Sequence, residues 1–177
     1  MRLDKNSDLE GTGLNLIEIE RHCDNRGYFQ ETVKQSKFHL DTNTLFEPMQ
    51  LNTSVSHQGV FRGIHQSLIQ NKLVYCAKGQ IVDFAIDLRS DSKLFGTRYA
   101  LEMKEENPLA FFLPKGFGHG FYVSSPMAIV TYLVDNEFRP NEELNWFGLD
   151  TAKDYLNVEY SEFVVSEKDL MAKKINY

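Results

Sequence analysis

The stretch from Gly59 to Leu88 constrains the fold more than any other part of the chain, because it reads as strand, turn, strand. Glycines interrupt apolar runs rich in Val, Ile, Phe and Tyr, which is the pattern of short β-strands joined by turns. From Ile81 to Arg89 the side chains alternate, so that one face is apolar and the other carries two aspartates and an arginine. This period of two predicts an antiparallel sheet with one dry face. The polar face would line a water-filled cavity, with His65 near its mouth.

The same pattern continues from Met49 to Val134, where short strand-like runs alternate with turns that contain Gly, Pro, Asn, Asp or Ser. Many short, evenly spaced strands are typical of sandwiches and barrels. Residues 13–20 predict a first strand and residues 31–41 a short helix, and a second short helix would begin at Ser166. We therefore predict one all-β domain over residues 1–177, with a few short peripheral helices and a sizeable core.

Composition and charge argue against several classes of protein. No apolar run approaches the roughly 20 residues of a membrane-spanning helix, and the charged N-terminus lacks a signal-peptide core. We therefore expect a cytoplasmic protein without membrane contact, in which Cys23 and Cys76 are reduced thiols. The net charge of −6 argues against general nucleic-acid binding, which needs a basic stripe. It does not argue against a small anionic ligand held by a few arginines.

Two histidines are candidates for chemistry. His65 has Arg62 three residues before it and Lys72 seven residues after it. It would be a general base with a pKa near working pH, or a half-buried strand histidine bonded to a carbonyl, which the residue alone favours. His119 lies among three glycines in PKGFGHGF. Either the backbone approaches a ligand there, or a glycine-rich rim carries a solvated histidine, and the pattern does not decide between them.

A metal site is not expected. Metal binding needs several ligands at one point, and the histidines of the chain form no H-x-H or H-x-x-x-H pair. The five histidines are His22, His39, His57, His65 and His119.

Asp169 and Tyr132 each allow a structural and a functional interpretation. In the sequence S-E-K-D, Asp169 would complete a capping box with Ser166 at the N-cap, which the local pattern favours. Its carboxylate would otherwise pack against a catalytic histidine and orient it. Tyr132 alternates with apolar neighbours in IVTYLV, so it would be core, cavity lining, or a phenol that donates a proton into a pocket.

Ordered motifs from about Ile17 to Asp169 strongly resemble those of the dTDP-4-dehydrorhamnose 3,5-epimerase family. The motifs are D-x-R-G-x-F-x-E at Asp24, Arg26, Gly27, Phe29 and Glu31; Q-x-N-x-S at Gln50, Asn52 and Ser54; G-V-x-R-G-x-H at Gly59, Val60, Arg62, Gly63 and His65; K-x-V at Lys72 and Val74; D-x-x-x-D-x-R at Asp83, Asp87 and Arg89; F-G at Phe95 and Gly96; P-x-G-F-x-H-G-F from Pro114 to Phe121; Tyr132; and S-x-x-D ending at Asp169. Their order along most of the chain is specific, and the resemblance implies a cupin-type jelly roll.

The resemblance also implies roles for four catalytic residues. His65 matches the family's catalytic base and Asp169 the carboxylate that pairs with it, a role that can coexist with the cap. Tyr132 matches the acid that returns a proton from the opposite face of the sugar ring. Lys72 matches the residue beside the C4 carbonyl oxygen.

Seven further positions match substrate contacts of the family. His119 matches a sugar contact, Arg26 and Arg62 the diphosphate contacts, and Gln50 and Asn52 the nucleotide contacts. Phe29 and Glu31 would reach a nucleotide held by a partner subunit, because dimers of the family exchange their N-terminal strands. The expected partners are therefore a nucleotide-diphosphate sugar and a second copy of the chain.

The implied function is inversion of C3, C5 or both in a nucleotide-linked 4-keto-6-deoxy sugar, by acid–base proton transfer through an enolate and without a cofactor. Such an activity would serve a surface polysaccharide or a glycosylated metabolite. One alternative is a 3,4-ketoisomerase of the same fold, which would be expected to place paired histidines in its pocket. A non-catalytic sugar-binding cupin would be expected to have lost the base or its carboxylate.

The chain departs from the family pattern at several positions. Gln66 stands where an aromatic residue commonly follows the histidine, and Leu133 stands where a lysine is frequent. The segment NWFGLDTAKDYLNVEY lacks the usual D-P and W-P pairs. We expect these changes to alter the walls of the pocket and to leave the base, its partner and the acid intact.

Overall fold

The computed structural model describes residues 9–42, 44–156 and 158–175. Its strands in chain order are β1 (Asn15–Glu18), β2 (Arg21–Asp24), β3 (Gly27–Gln30), β4 (Gln50–His57), β5 (Phe61–Ser67), β6 (Lys72–Lys78), β7 (Gln80–Asp87), β8 (Arg98–Lys104), β9 (Leu109–Leu113), β10 (Phe117–Val123), β11 (Met127–Val134) and β12 (Glu143–Asn145). Its α-helices are α1 (Gln35–Thr42), α2 (Leu149–Tyr155) and α3 (Glu167–Leu170).

Two antiparallel five-stranded sheets form the body of the protein. Sheet 1 has the strand order β1-β9-β6-β11-β4, and sheet 2 has the order β12-β5-β10-β7-β8. Strands that are neighbours in a sheet are mostly distant in sequence, as expected when a chain winds between two layers. The all-β, cupin-type jelly roll predicted from the sequence is confirmed. Within the described residues, no helix is long and apolar enough to cross a membrane.

The main core lies between the two sheets. Val74 and Phe111 from sheet 1 and Ile81 and Ala85 from sheet 2 belong to one buried cluster. Because these side chains are at most 1% exposed, the inner faces of both sheets are closed to solvent over this region. Burial of this apolar surface is the main force that holds the layers together.

The outer face of sheet 2 is also buried, which corrects the prediction of one dry face. Phe84 and Ile86 of β7 pack in a second cluster with Leu149 and Ala152 of α2. The face that carries the aspartates points inward, and Asp83 is fully buried there. The sequence pattern missed this arrangement because α2 has no side-chain cap at its N-terminus to mark it as a helix.

The segment after β1 forms a separate two-stranded hairpin, in which β2 pairs with β3. Its contact with sheet 1 includes a hydrogen bond of 2.6 Å from Gln30 Nε2 to the Tyr75 hydroxyl. Phe29 at the far side of the hairpin is 67% exposed. Strand β1 itself pairs with β9 of the same chain. Exchange of the N-terminal strand between subunits therefore stays a prediction.

Candidate active site

A cavity of about 700 Å³ opens between the two sheets. Eight of the eleven catalytic and substrate-binding candidates from the sequence line it, namely Gln50, Asn52, Arg62, His65, Lys72, His119, Tyr132 and Asp169. The jelly roll brings them together because each lies on a strand of one of the two sheets or, for Asp169, on helix α3.

His65 and Asp169 form a direct pair at one side of the cavity. His65 Nε2 lies 2.7 Å from Asp169 Oδ1, and the carboxylate is 6% exposed. Since an ionised carboxylate only accepts hydrogen bonds, the neutral imidazole carries its proton on Nε2 and keeps a free lone pair on Nδ1. An imidazole held in this way is suited to accept a proton from a substrate.

Several contacts keep Asp169 ionised. Burial acts to raise its pKa, but the hydrogen bond to His65 and the charge of that ring outweigh burial and lower it, with help from Ser166 and the Gly63 backbone. The Ser166 hydroxyl also accepts the Asp169 N–H at 3.2 Å, so Ser166 is the N-cap of α3 as predicted. The Asp169 carboxylate does not complete the predicted capping box, because it is turned to His65 instead.

A second imidazole–carboxylate pair lies beside the first. His119 in β10 is the register partner of His65 in β5, and its Nε2 lies 2.9 and 3.0 Å from the two oxygens of Asp83. The two strands can approach closely because Gly63 has no side chain. A Cβ at this position would lie only 2.6 Å from the Gly120 Cα. Burial raises the pKa of Asp83, whereas the charges of His119 and Lys72 oppose that rise.

Sheet 1 supplies Lys72 and Tyr132 from the other side of the cavity. Tyr132 in β11 pairs with Val74 in β6, two residues from Lys72, so both side chains project from the same face. Burial lowers the pKa of the Lys72 ammonium, and the carboxylates of Glu143 and Asp83 oppose this effect. The cavity therefore places a cation and a phenol from one sheet opposite two imidazoles from the other.

Tyr132 is held in its neutral form. Burial raises the pKa of the phenol, the Glu143 carboxylate raises it further, and the Arg62 guanidinium opposes them. A phenol that stays protonated at neutral pH is an available proton donor.

The remaining wall combines amides with one exposed aromatic ring. Gln50 Nε2 donates to Asn52 Oδ1 at 2.7 Å, and Gln50 Oε1 accepts the backbone N–H of Phe138 at 2.9 Å. The Phe138 ring lines the cavity and is 48% exposed. Arg62 Nε donates to the Ser56 hydroxyl at 3.0 Å. This end of the cavity thus offers amides, an open ring face and a guanidinium.

The model of the dTDP-4-dehydrorhamnose 3,5-epimerase family matches residues 8–176 of the chain. The chain belongs to this family. It is therefore an enzyme of the isomerase class, an epimerase, and the resemblance drawn from the ordered motifs is confirmed.

Individual members of the epimerase family are similar over most of their length. A dTDP-4-dehydrorhamnose 3,5-epimerase from Methanothermobacter thermautotrophicus is 35% identical over 161 residues, which cover 89% of this chain and 86% of the relative. The crystal structure of dTDP-6-deoxy-D-glucose-3,5-epimerase from Legionella pneumophila, in complex with dTDP-4-keto-L-rhamnose, is 32% identical with a TM-score of 0.84 and covers 93% and 89% of the two chains. The 3′-monoepimerase ChmJ from Streptomyces bikiniensis, in complex with dTDP-quinovose, is 29% identical with a TM-score of 0.83 and covers 92% and 83%.

Three predicted contacts of this epimerase lie outside the cavity. Arg26, Phe29 and Glu31 are on the exposed β2–β3 hairpin or just after it, and none of them lines the cavity. The Arg26 guanidinium is instead 2.5 Å from the Asp24 carboxylate. Within one subunit the structure does not bring these residues to the site, and their role in a partner's site stays a prediction.

Sequence reasoning missed several functional candidates of this epimerase. Glu143 and Lys168 line the cavity and form an ion pair of 3.3 Å, and the Phe138 ring lies in the same wall. They come from the polar, irregular C-terminal part, where no periodicity marks an inward face. Gln66, expected in the wall, is not among the lining residues. No group of three or more potential metal ligands occurs within the described ranges.

Proposed function

We propose that this epimerase inverts C3, C5 or both in a nucleotide-linked 4-keto-6-deoxy sugar. The observation that carries this proposal is the arrangement across one cavity: the paired imidazole of His65 lies on one side, and Tyr132 with Lys72 lies on the other. Inversion of a carbon beside a ketone needs a base on one face, an acid on the opposite face and stabilisation of the enolate oxygen.

The proposed reaction begins when His65 Nδ1 takes the hydrogen on C3 or C5 as a proton. The electron pair of that C–H bond forms a double bond to C4, and the carbonyl electrons move onto oxygen, where the Lys72 ammonium stabilises the enolate. Tyr132 then gives its phenolic proton to the opposite face of the same carbon, and the carbonyl re-forms. Proton exchange with water returns His65 and Tyr132 to their starting states.

The nucleotide and diphosphate would occupy the end of the cavity formed by the amides, the Phe138 ring and Arg62. A flat base stacks on an exposed aromatic face, amides bond its edge, and a guanidinium bonds phosphate oxygens in a bidentate way. The named Legionella complex contains a dTDP-linked sugar. By that similarity we propose a dTDP-sugar as the substrate of this chain.

A second copy of the chain would complete this site. The exposed hairpin carries Arg26 and Phe29 and leads to Glu31, none of which lines the cavity of its own subunit, and a partner's cavity is where we place them. We propose a homodimer with exchange of N-terminal segments, which sedimentation analysis would distinguish from a monomer.

We also propose that the enzyme works in the cytoplasm. Cys23 and Cys76 are both free, which suits a reducing compartment. Burial raises the pKa of the Cys76 thiol to about 12, so this thiol stays protonated.

A 3,4-ketoisomerase is the second candidate because His65 and His119, though far apart in sequence, are cross-strand neighbours, each with its own carboxylate. Two adjacent imidazoles could move one proton from C3 to C4 of the same sugar and a second from the C3 hydroxyl to the C4 oxygen. The reaction product decides between the two functions, since epimerisation keeps the carbonyl at C4 and isomerisation moves it to C3.

The test uses NMR in D₂O with dTDP-, CDP- and GDP-linked 4-keto-6-deoxy sugars. An epimerase incorporates deuterium at C3 or C5 and gives the inverted sugar, and the labelled position distinguishes action at one centre from action at both. A carbonyl signal that moves to C3 identifies the ketoisomerase. Binding of all three substrates without any incorporation would leave the non-catalytic sugar-binding protein and contradict our proposal.

Asp83→Asn is expected to lower kcat by roughly 10- to 100-fold, because loss of the buried charge loosens the position of His119 and removes a partner of the Lys72 ammonium. Steady-state kinetics and thermal unfolding would be measured together. Asp87→Asn is the matched control, since Asp87 is also fully buried but bonds Arg89 away from the cavity. Equal losses of kcat in both variants would contradict a role for Asp83 at the site.

Phe138→Ala is expected to weaken binding of dTDP by roughly 1 to 3 kcal/mol, the usual loss when one base–aromatic stack is removed. Titration calorimetry measures this change directly. Phe95→Ala serves as control, because Phe95 is 42% exposed, close to the 48% of Phe138, and does not line the cavity. Unchanged affinity for dTDP in Phe138→Ala would show that the Phe138 ring does not contact the nucleotide.

A further inference from the structure

Gln66 follows His65 in β5, and its side chain lies on the opposite side of the strand from the cavity. It is 5% exposed, and both the nitrogen and the oxygen of its amide have hydrogen-bond partners. Nε2 donates to the carbonyls of Leu88 at 3.1 Å and Gly116 at 2.9 Å, while Oε1 accepts the indole N–H of Trp146 at 3.0 Å. One side chain thereby ties four separate parts of the chain together.

Trp146 connects this amide to the segment that carries Asp169. Its backbone exchanges two hydrogen bonds with Ile64, of 2.9 and 3.1 Å, so it is fixed against the strand of the base. Trp146 also forms a parallel bridge with Lys173, and the next N–H, that of Phe147, donates to the Lys173 carbonyl at 2.8 Å. The chain just after α3 is therefore held to β5 through Trp146.

The chain before α3 is held to the start of the same strand. Phe61 N–H donates to the Val164 carbonyl at 3.0 Å, and Val164 N–H donates to the Gly59 carbonyl at 2.8 Å. Residues 164–173, which we name the α3 strap, are thus fastened at both ends, with Asp169 between the two fastenings. The strap forms part of the cavity wall, since Val164, Ser166 and Asp169 are among its lining residues.

Helix α3 has no apolar anchor of its own. Asp169 is its only buried residue, and the two residues that follow, Leu170 and Met171, are 50% and 84% exposed. A four-residue helix is not stable by itself in water. The position of the Asp169 carboxylate therefore depends on the ends of the strap.

We propose that Gln66 and Trp146 are positioning residues, which hold the α3 strap so that Asp169 meets the ring of His65. This inference rests on the proposed role of His65 as the base. Neither residue touches the cavity; both act through Asp169. A displacement of a reacting group by about 1 Å can cost 10²-fold in rate, so a small loosening of the strap is enough to slow the reaction.

Trp146→Phe is the main test, because it keeps an aromatic ring and removes the N–H that Gln66 accepts. We expect kcat to fall about tenfold. This is less than the roughly 10²-fold loss for a displacement of 1 Å, because the strap would be loosened only partly. Binding of dTDP should stay within about twofold, since the positioning pair lies outside the nucleotide end of the cavity. Gln66→Met should likewise lower kcat and leave binding of dTDP within about twofold.

If the loss of kcat in Trp146→Phe passes through Asp169, it should disappear in a protein that already carries Asp169→Asn. Adding Trp146→Phe to Asp169→Asn should cause no further loss of kcat, because the pair is already disrupted. Tyr155→Phe is the control for general destabilisation: it removes a hydroxyl that bonds the Arg98 carbonyl at 2.9 Å and keeps the ring that packs against the second core cluster, as the rings of Trp146 and its Phe variant do. It should leave kcat unchanged. Equal tenfold losses from Trp146→Phe in both backgrounds would overturn the proposal.

Two measurements do not depend on catalysis. In the parent protein we expect a low-field proton resonance from His65 Nε2–H and slow amide hydrogen exchange at Val164 and Phe147, and both should weaken in Trp146→Phe. If the parent neither shows that resonance nor protects those amides, the strap is not fastened and the proposal fails, even where the variants do not fold. If the parent shows both features but exchanges no sugar hydrogen, the proposed function fails while the positioning stands.

Discussion

His65→Ala is expected to abolish the exchange of sugar hydrogens with deuterated solvent while leaving nucleotide binding almost unchanged. The imidazole is held at 2.7 Å by Asp169. Among the described residues that line this side of the cavity, His119 is the one other group that combines a free lone pair with a carboxylate partner. A positioned general base contributes about 10²–10⁴-fold, and the loss should approach the upper value because the chemistry cannot begin without proton removal.

The measurement combines deuterium NMR with calorimetric titration of dTDP. Asp169→Asn is an informative companion, because it keeps the shape of the partner and removes its charge, so exchange should be slowed less than in His65→Ala. Normal deuterium incorporation in His65→Ala would exclude the residue as the base. Exchange that survives there but disappears in His119→Ala would assign the role to the neighbouring imidazole.

Tyr132→Phe is expected to separate proton removal from inversion. The base, the cation and the ring of Tyr132 all remain in this variant, so hydrogen should still leave the sugar, but the opposite face receives no proton. Loss of a general acid costs about 10²–10⁴-fold, so net inversion should fall by about 10³-fold while deuterium washes into the unchanged stereoisomer.

The readout is the ratio of deuterium incorporation to inverted product, which is insensitive to partial unfolding because both arise from the same folded molecules. Tyr99→Phe is a suitable control, since Tyr99 is a buried tyrosine of β8 that does not line the cavity. Inversion at the parental rate in Tyr132→Phe would show that Tyr132 lines the cavity but is not the acid.

The sequence predicted the strands well because their signal is local. Alternation, glycines and turn residues are properties of neighbouring positions, so most of the region from Met49 to Val134 was interpreted correctly. The alternation in β7 did not show what covers each face, since α2 lies more than 60 residues further along the chain. An alternation of apolar and polar residues does not reveal that a distant segment buries the outer face of the strand.

The site was predicted from ordered motifs, and local patterns alone pointed the other way. The spacing around Asp169 favoured a helix cap, and only its distant partner His65 explains its orientation. Phe138 was missed because it lies in irregular backbone, and Glu143 because it begins β12, a strand of three residues that is too short to show an alternation. Gln66 was expected in the cavity wall, but its amide found three partners on the other side of the strand.

In the order of the chain, the strands of the two sheets come before the last residue of the catalytic pair. The last strand ends at Asn145, whereas the carboxylate that orients the base arrives with residue 169, 104 positions after its partner. During synthesis the two layers can therefore close, and the nucleotide end can take shape, while the imidazole still lacks its counter-ion. A nascent protein of this kind would bind its substrate before it could turn it over.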